Sequence, residues 1–200
     1  MATQVRRTRS VERILAAAAG LFYANGLRGV GVDEVIAASG VSKSTLYAHF
    51  RSKDDLVAAY LQATDASWIE QLRAAAERAG DDPADQLIGL FDALLDAFDR
   101  HGFFGCPFVS AAVETSLDSA ARAITRAHTE RRQAWLTELC ERGGLVDPGR
   151  VASHIGLLID GAMTRGRLEQ DRAVVEDAKE AARAAIRASR DTSGGEGHHR

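Results

Sequence analysis

The sequence is poor in residues that break helices or cross-link small folds. Its 200 residues include three prolines and two cysteines, and no apolar run approaches the roughly 18 residues of a membrane span. Two cysteines without a C-x-x-C spacing exclude a disulfide scaffold and a cysteine-rich zinc site. The N-terminal residues MATQVRRTRS contain no signal-type apolar core, so we expect a cytoplasmic protein that does not bind membranes.

Patterns that carry catalysis are also missing. The sequence has no G-x-S-x-G motif, no phosphate-binding loop and no H-x-x-x-H pair, and His101, His128 and His154 lie far apart. We therefore expect a protein that is not an enzyme and that needs no metal or cofactor.

Charge is divided unevenly along the chain. Residues 1–53 carry eight basic and three acidic side chains, a net charge of +5, whereas the rest carries 17 basic and 25 acidic side chains, a net charge of −8. Because electrostatic attraction acts locally, a basic head on an acidic body suits a module that meets a polyanion. Chance clustering of the charges is the alternative.

Apolar residues recur with the 3.6-residue period of amphipathic helices, so we predict an all-α fold of about nine helices. The predicted helices cover residues 10–25, 32–39, a short stretch after Ser42, 53–79, 83–100, 107–116, 118–142, 148–167 and 172–190. Ser10 is the predicted N-cap of the first helix, and Gly26 is its predicted stop. The tail, residues 191–200, has no large apolar residue and is predicted to be disordered.

The segment GVDEVIAASGVSKSTLYAHF, residues 31–50, has the pattern of two short helices joined by a tight turn. Gly40 can supply the positive φ of that turn, and Ser42 is placed to cap the second helix. The apolar residues are spaced to pack against the first helix, which leaves a polar outer face: Lys43, Ser44, Thr45, Tyr47 and His49. A short helix with small, polar and basic residues at its start fits the major groove of DNA.

The run from Ile14 to Leu61 closely resembles the N-terminal domain of TetR-type repressors. The matching positions are Gly26, Gly40, Val41, Ser42, Thr45, Tyr47, Phe50 and Lys53. The resemblance implies that Lys43 and Ser44 read base edges of double-stranded operator DNA. It implies phosphate contacts for Thr45, Tyr47, His49 and Lys53, although His49 is alternatively a solvated side chain.

The resemblance has one departure and one open question. Gly31 stands where the family usually has a serine or threonine that caps the second helix and touches phosphate. Glycine offers no hydroxyl, so we expect only backbone N–H groups to bind phosphate there. Arg6, Arg7 and Arg9 form either an arm that enters the minor groove or a solvated tail.

By the same resemblance, residues 1–52 form a helix-turn-helix DNA-binding domain, 53–190 a helical bundle for ligand binding and dimerisation, and 191–200 a tail. Members of the family dimerise through their last two long helices. Here those helices carry a stripe of small and branched residues as the expected homodimer interface: Val151, Ile155, Leu158, Ile159, Val174, Ala178, Ala182 and Ala185. The alternative is that the stripe packs inside one subunit.

Large apolar side chains of the same half are candidates for the effector pocket that the family encloses. They are Trp68, Leu72, Phe91, Leu95, Phe98, Phe104, Phe108, Trp135 and Met163. Ordinary core packing is the alternative for each of them. As a group, these side chains favour an apolar or aromatic effector, and the chain is thus predicted to be a repressor that a small molecule releases from DNA.

Cys106 supports a competing mechanism. It lies in HGFFGCPF at the predicted start of a helix, where the helix dipole favours a thiolate. The motif is similar to a glycine-cysteine segment in a subset of these repressors, some of which sense electrophiles or oxidants. The choice is between a thiol sensor and an inert packed cysteine.

Overall fold

The computed structural model describes residues 2–100 and 102–191, and of residues 2–7 and 191 the backbone alone. The predicted disorder of residues 192–200 and the arm formed by the Arg6 and Arg7 side chains lie outside the described residues. Within these limits the chain is all-helical, as predicted. The helices are α1 (Ala2–Gly29), α2 (Val32–Ser39), α3 (Lys43–His49), α4 (Lys53–Ala79), α5 (Pro83–Asp99), α6 (Pro107–Glu114), α7 (Ala120–Arg142), α8 (Pro148–Glu169) and α9 (Ala173–Asp191).

Helix α1 differs from its prediction at its start, and the predicted stop at Gly26 is a break inside the helix. It begins at Ala2, not after Ser10, because residues 2–9 contain no proline or glycine that would end a helix. Gly26 has φ 78° and ψ 167°, a conformation that essentially only glycine adopts, and it kinks the helix before the last turn.

The chain folds into two compact units. Unit one comprises the described residues up to Ser67 together with Pro107–His128, and unit two comprises Trp68–Cys106 and the residues from Thr129 to the end of α9. Helices α4 and α7 each contribute to both units. The functional boundary near residue 52 stays a prediction.

The core of unit one is built around α1. Ile14, Ala18 and Phe22 are buried on one face of that helix, and the Phe22 ring lies 5.4 Å from the ring of Tyr60 in α4. Val35 of α2 and Leu46 of α3 are also buried. Helices α2 and α3 therefore dock through their apolar sides, and their polar sides face outward.

The core of unit two is the packing of α5, α8 and α9. The apolar face of α5 is buried, and it meets the stripe predicted for dimerisation. Of that second stripe, Val151, Ile155, Ile159, Val174, Ala178 and Ala182 are buried and Leu158 and Ala185 half-buried within the single chain. Helices α8 and α9 use this face to cover α5 and each other, which favours the alternative that the stripe packs inside one subunit. A part of these residues in a dimer interface stays a prediction.

An ion pair joins two helices of unit two beside this core. The Arg132 guanidinium in α7 donates to both carboxylate oxygens of Asp160 in α8, at 2.7 and 2.8 Å. The Arg132 side chain is 7% exposed and that of Asp160 39%. The arginine charge is thus compensated by a partner that is itself in contact with water.

Candidate nucleic-acid interface

Helices α2 and α3 form a helix-turn-helix around Gly40. This glycine has φ 63° and ψ 26°, the left-handed conformation that ends α2, and its N–H donates to the Ile36 carbonyl at 3.0 Å. Ser42 then caps α3, since its Oγ accepts a hydrogen bond from the Thr45 backbone N–H at 3.1 Å. Both features were predicted from the sequence.

Arg13 of α1 supports this turn. Its Nη2 donates to the Ser39 carbonyl at 2.6 Å, at the C-terminal end of α2 where a positive charge is favoured. A Cβ atom on Gly40 would lie 2.7 Å from the same nitrogen. The turn therefore needs glycine for its dihedral angles, and a side chain there would also displace the end of the Arg13 side chain.

The outer face of α3 carries the side chains predicted to contact DNA. Lys43 and Ser44 are exposed, and Tyr47 is 43% exposed, whereas Thr45 and His49 are half-buried. Leu46 on the opposite side is buried. The structure thus brings the five predicted α3 residues onto one short helix whose first turn faces solvent.

The hydroxyl groups at the start of α3 bond to one another. Ser42 Oγ lies 3.0 Å from Ser44 Oγ and 2.7 Å from Thr45 Oγ1. Because a hydroxyl both donates and accepts, each can keep one of these bonds and still bond to a phosphate or a base edge. The cluster holds Ser44 and Thr45 in a defined arrangement before DNA arrives.

Lys43 has a partner that the sequence reasoning missed. Its Nζ lies 3.1 Å from Oδ1 of Asp33 in the first turn of α2. The hydrogen bond and the negative charge of Asp33 raise the pKa of Lys43 above its usual value. The available signal was two opposite charges at the starts of consecutive helices, ten residues apart.

The start of α2 is capped by Gly31 and Glu34. Gly31 is the N-cap, with φ −85° and ψ 156°, and its N–H donates to Oε1 of Glu34 at 2.8 Å. The Gly31 N–H is therefore occupied by a carboxylate of the same chain, and phosphate binding by the other N–H groups of this helix start stays a prediction.

Lys53 is the first residue of α4 and is half-buried. The helix start is well capped: Asp55 N–H donates to Ser52 Oγ at 3.0 Å, and Arg51 N–H donates to Asp55 Oδ2 at 3.1 Å. The Ser52-x-x-Asp55 spacing is that of a capping box, and here the carboxylate accepts from Arg51 and not from Ser52 itself. The phosphate contact of Lys53 stays a prediction.

Unit one also contains a link between α1 and α6. Glu114, the last residue of α6, accepts from the Arg28 backbone N–H at 2.7 Å, and its carbonyl accepts from Arg28 Nε at 2.9 Å. The Glu114 carboxylate lies beside the kink at Gly26, 2.9 Å from where a Cβ atom would be. Helix α6 thereby holds the last turn of α1.

The predicted pocket residues fall into two groups. Leu72, Phe91, Leu95 and Met163 are buried in the core of unit two, and Trp68, Phe98 and Trp135 are half-buried against it. Phe104 is half-buried in the same unit. Arg73 covers the Trp135 ring at 5.8 Å from its centroid.

Phe108 belongs to unit one, whereas the other predicted pocket residues belong to unit two. Its ring stacks on His128, with centroids 3.7 Å apart and planes at 9°. His128 is buried, and its Nδ1 lies 2.6 Å from Asp65 Oδ1. Phe108 therefore packs within unit one, and its place in a pocket stays a prediction.

The two cysteines occupy different environments. Cys106 is half-buried and directly precedes α6. The segment before it is held to α8: Gln170 Nε2 donates to the Phe103 carbonyl at 2.9 Å, and the buried Phe103 ring lies 4.7 Å from that of Phe98. Cys140 is buried, and burial raises the pKa of its thiol to about 11.

Comparison with known proteins places this architecture among bacterial regulators. Residues 14–60 match the family described as "Bacterial regulatory proteins, tetR family". A TetR-family transcriptional regulator from Streptomyces coelicolor has a similar structure, with a TM-score of 0.83, 30% identity, and coverage of 91% of this chain and 96% of that one.

Two regulators are similar in sequence. The transcriptional regulator LmrA of Bacillus subtilis is 29% identical over 158 residues, which are 77% of this chain and 84% of LmrA. The transcriptional repressor NemR of Escherichia coli is 25% identical over 123 residues, 56% of this chain and 62% of NemR. In the described part of the chain, no helix has the length and apolarity to cross a membrane.

Proposed function

This chain belongs to the TetR family of bacterial transcriptional regulators, and on that basis we propose that it is a homodimeric repressor released from its operator by a small apolar or aromatic molecule. The observation that carries DNA binding is the first turn of α3. It places an ammonium group and two hydroxyls on the solvent-exposed side of the helix-turn-helix. Repression is the activity named for one relative, NemR.

The DNA contacts are tested by two lysine substitutions. Lys43→Ala is expected to cost about 1 to 3 kcal/mol and to relax base preference, because this residue is proposed to read a base edge. Lys53→Ala is expected to weaken binding to all DNA sequences alike, as loss of one phosphate contact does. The slope of the logarithm of the binding constant against the logarithm of the salt concentration should become shallower by about one. If both variants bind like the wild type at two salt concentrations, the proposed contacts are wrong.

The dimer is proposed to form through the sides of α8 and α9 that face away from the core. Leu157 is 67% exposed, and Gly161, Ala181 and Ala184 are exposed on the same two helices. Small residues permit close approach of helices from two copies. An isologous dimer would present two recognition helices to half-sites about 34 to 36 Å apart.

Sedimentation of charged variants tests this interface. Leu157→Glu combined with Ala184→Glu should produce monomers with poor operator affinity. Val113→Glu is the control, since it adds one glutamate to an exposed apolar position of α6 in unit one. A monomeric wild type, or dimers that survive both glutamates, would contradict the proposal.

Effector binding is proposed within unit two, where Trp68, Phe98 and Trp135 are half-buried against the core. Helix α4 runs from unit one into unit two, so it supplies a covalent route for a ligand-driven shift. A ligand changes DNA affinity only through its different affinities for the two arrangements, about 1 to 3 kcal/mol in typical cases.

Intrinsic fluorescence is a direct readout, because both tryptophans belong to unit two. A panel of apolar and aromatic metabolites should include one that changes the emission and weakens operator binding over the same concentration range. Operator DNA should in return lower the affinity of the protein for that compound. A compound that saturates the fluorescence change and leaves operator affinity untouched would rule out this switch.

A thiol switch at Cys106 is the second candidate. The specific observation is its position, since a half-buried thiol lies directly before α6, the helix that holds α1 through Glu114. An alkylating reagent should then weaken operator binding of the wild type and leave Cys106→Ser unaffected. Equal inhibition of both proteins would eliminate this mechanism.

A further inference from the structure

The Asp33–Lys43 pair lies on the side of the helix-turn-helix proposed to face DNA. Its two side chains are 82% and 65% exposed, so no buried neighbour fixes them and their contact across the turn holds them together. An exposed ion pair contributes little to folding stability. Its main consequence is therefore for the charge and geometry that the start of α3 offers to a ligand.

An unrestrained lysine is a poor reader of sequence. Its ammonium is a point charge with three donors on a flexible stem, and phosphate oxygens satisfy it at any base sequence. In this chain one donor is taken by Asp33 Oδ1, 3.1 Å away, and a negative charge stands beside the ammonium. That carboxylate repels a charged phosphate more strongly than it repels the uncharged acceptors O6 and N7 of guanine.

We propose that Asp33 is a specificity-determining residue, whose carboxylate directs the Lys43 ammonium to base edges and away from phosphates. This inference rests on the proposed operator binding and adds a residue to it. Asp33 lowers overall affinity for DNA, because it places a negative charge at the interface. In return it increases the difference in affinity between the operator and other sequences.

Glu34 provides a matched control. It belongs to the same first turn of α2 and carries the same charge, but its carboxylate bonds to the Gly31 N–H and not to Lys43. Glu34→Gln removes that charge and keeps an acceptor suited to the cap. Asp33→Asn removes one charge and weakens the restraint on Lys43. The two variants therefore separate the effect of charge from the effect of the pair.

The experiment compares two duplexes of equal length, one selected from genomic fragments by the wild-type protein and one with the same bases shuffled. Affinities for both are measured at two salt concentrations for the wild type, Asp33→Asn, Glu34→Gln, Lys43→Gln and the Asp33→Asn/Lys43→Gln double variant. Thermal unfolding confirms that each variant is folded. Asp33→Asn is expected to bind the shuffled duplex more tightly and to lose about fivefold or more of the discrimination ratio, the low end of one base contact.

The matched variants define the result. Glu34→Gln should strengthen binding to both duplexes alike and leave the discrimination ratio unchanged. In the Lys43→Gln background, Asp33→Asn should have no further effect on that ratio. The proposal would be overturned if Asp33→Asn and the wild type had equal discrimination ratios. It would also be overturned if Asp33→Asn reduced the ratio as much in the Lys43→Gln background as in the wild type. The second outcome would make Asp33 itself the reader of a cytosine amine. A wild type that selects no genomic fragment would instead refute the operator binding on which the proposal rests.

Discussion

Replacing Gly40 by alanine tests the account of the helix-turn-helix most directly. The residue has φ 63° and ψ 26°, a left-handed conformation that costs an L-residue about 1 to 2 kcal/mol. Part of this cost is offset, because alanine reduces the entropy of the unfolded chain by about 0.4 to 1 kcal/mol. The dihedral angles alone therefore predict a loss of about 1 kcal/mol in the free energy of unfolding.

Arg13 adds a second contribution. The new Cβ would lie 2.7 Å from Arg13 Nη2, so the guanidinium must move and release the Ser39 carbonyl, to which it now donates at 2.6 Å. A hydrogen bond to a charged group contributes about 1.5 to 3 kcal/mol, and we use the lower value because this one is only partly buried. Gly40→Ala should thus destabilise the protein by about 2 to 3 kcal/mol.

Urea unfolding at fixed protein concentration measures this loss, and a double-variant cycle divides it. In an Arg13→Ala background, Gly40→Ala should cost only about 1 kcal/mol, since no guanidinium remains to be displaced. Gly20→Ala is the control: a Cβ there meets nothing within 4 Å, and alanine should stabilise α1 by about 0.5 to 1 kcal/mol. An equal cost of Gly40→Ala in both backgrounds would show that the contact with Arg13 contributes nothing to the loss of stability.

Three further substitutions have outcomes fixed by local structure. Gly31→Ser should stabilise α2 by a few tenths of a kcal/mol and strengthen DNA binding, because φ −85° suits any residue and serine adds a capping hydroxyl. Urea unfolding and gel shifts measure the two effects, and Gly31→Ala should show neither of them. The buried Cys140 thiol, with a folded pKa of about 11, stabilises the protein only while it is protonated. Between about pH 9 and pH 11 the free energy of unfolding of the wild type should therefore fall by up to about 2 to 3 kcal/mol more than that of Cys140→Ala. In urea unfolding, Asp160→Ala should cost about 2 to 4 kcal/mol and more than Arg132→Met, because it leaves a buried guanidinium unpaired whereas the methionine leaves a carboxylate in contact with water.

Helix boundaries were predictable where a local signal sets them. Ser42 and Ser52 cap α3 and α4 through their own backbone neighbours, and Gly40 ends α2 by its own dihedral angles. Each signal acts within about four residues, so reading along the chain finds it. The start of α1 was missed because Ser10 has the local signal of a helix cap, whereas no residue before it interrupts the helix.

The candidate site was only half predictable. The side chains that α3 exposes follow from its periodicity, and the resemblance to a known family assigns roles to them. The contacts that orient these groups do not follow: Lys43 meets Asp33 across a turn, and Arg13 reaches Ser39 from 26 residues away. These contacts depend on how one helix docks on another, which a single sequence leaves undetermined for charged side chains on an exposed surface.

The dimer stripe shows a more general limit of hydrophobic periodicity. Periodicity identifies the face of a helix that leaves water, but it does not identify what covers that face. On α8 and α9 the strongest stripe is used to pack against α5 inside the chain, so an interface between copies must use a weaker pattern. Leu157 with small residues such as Gly161 and Ala184 is such a pattern, and it goes unnoticed beside Ile155. In a helical bundle that also dimerises, the most apolar face is therefore assigned to the subunit's own core first, and the partner is sought on the face that remains exposed.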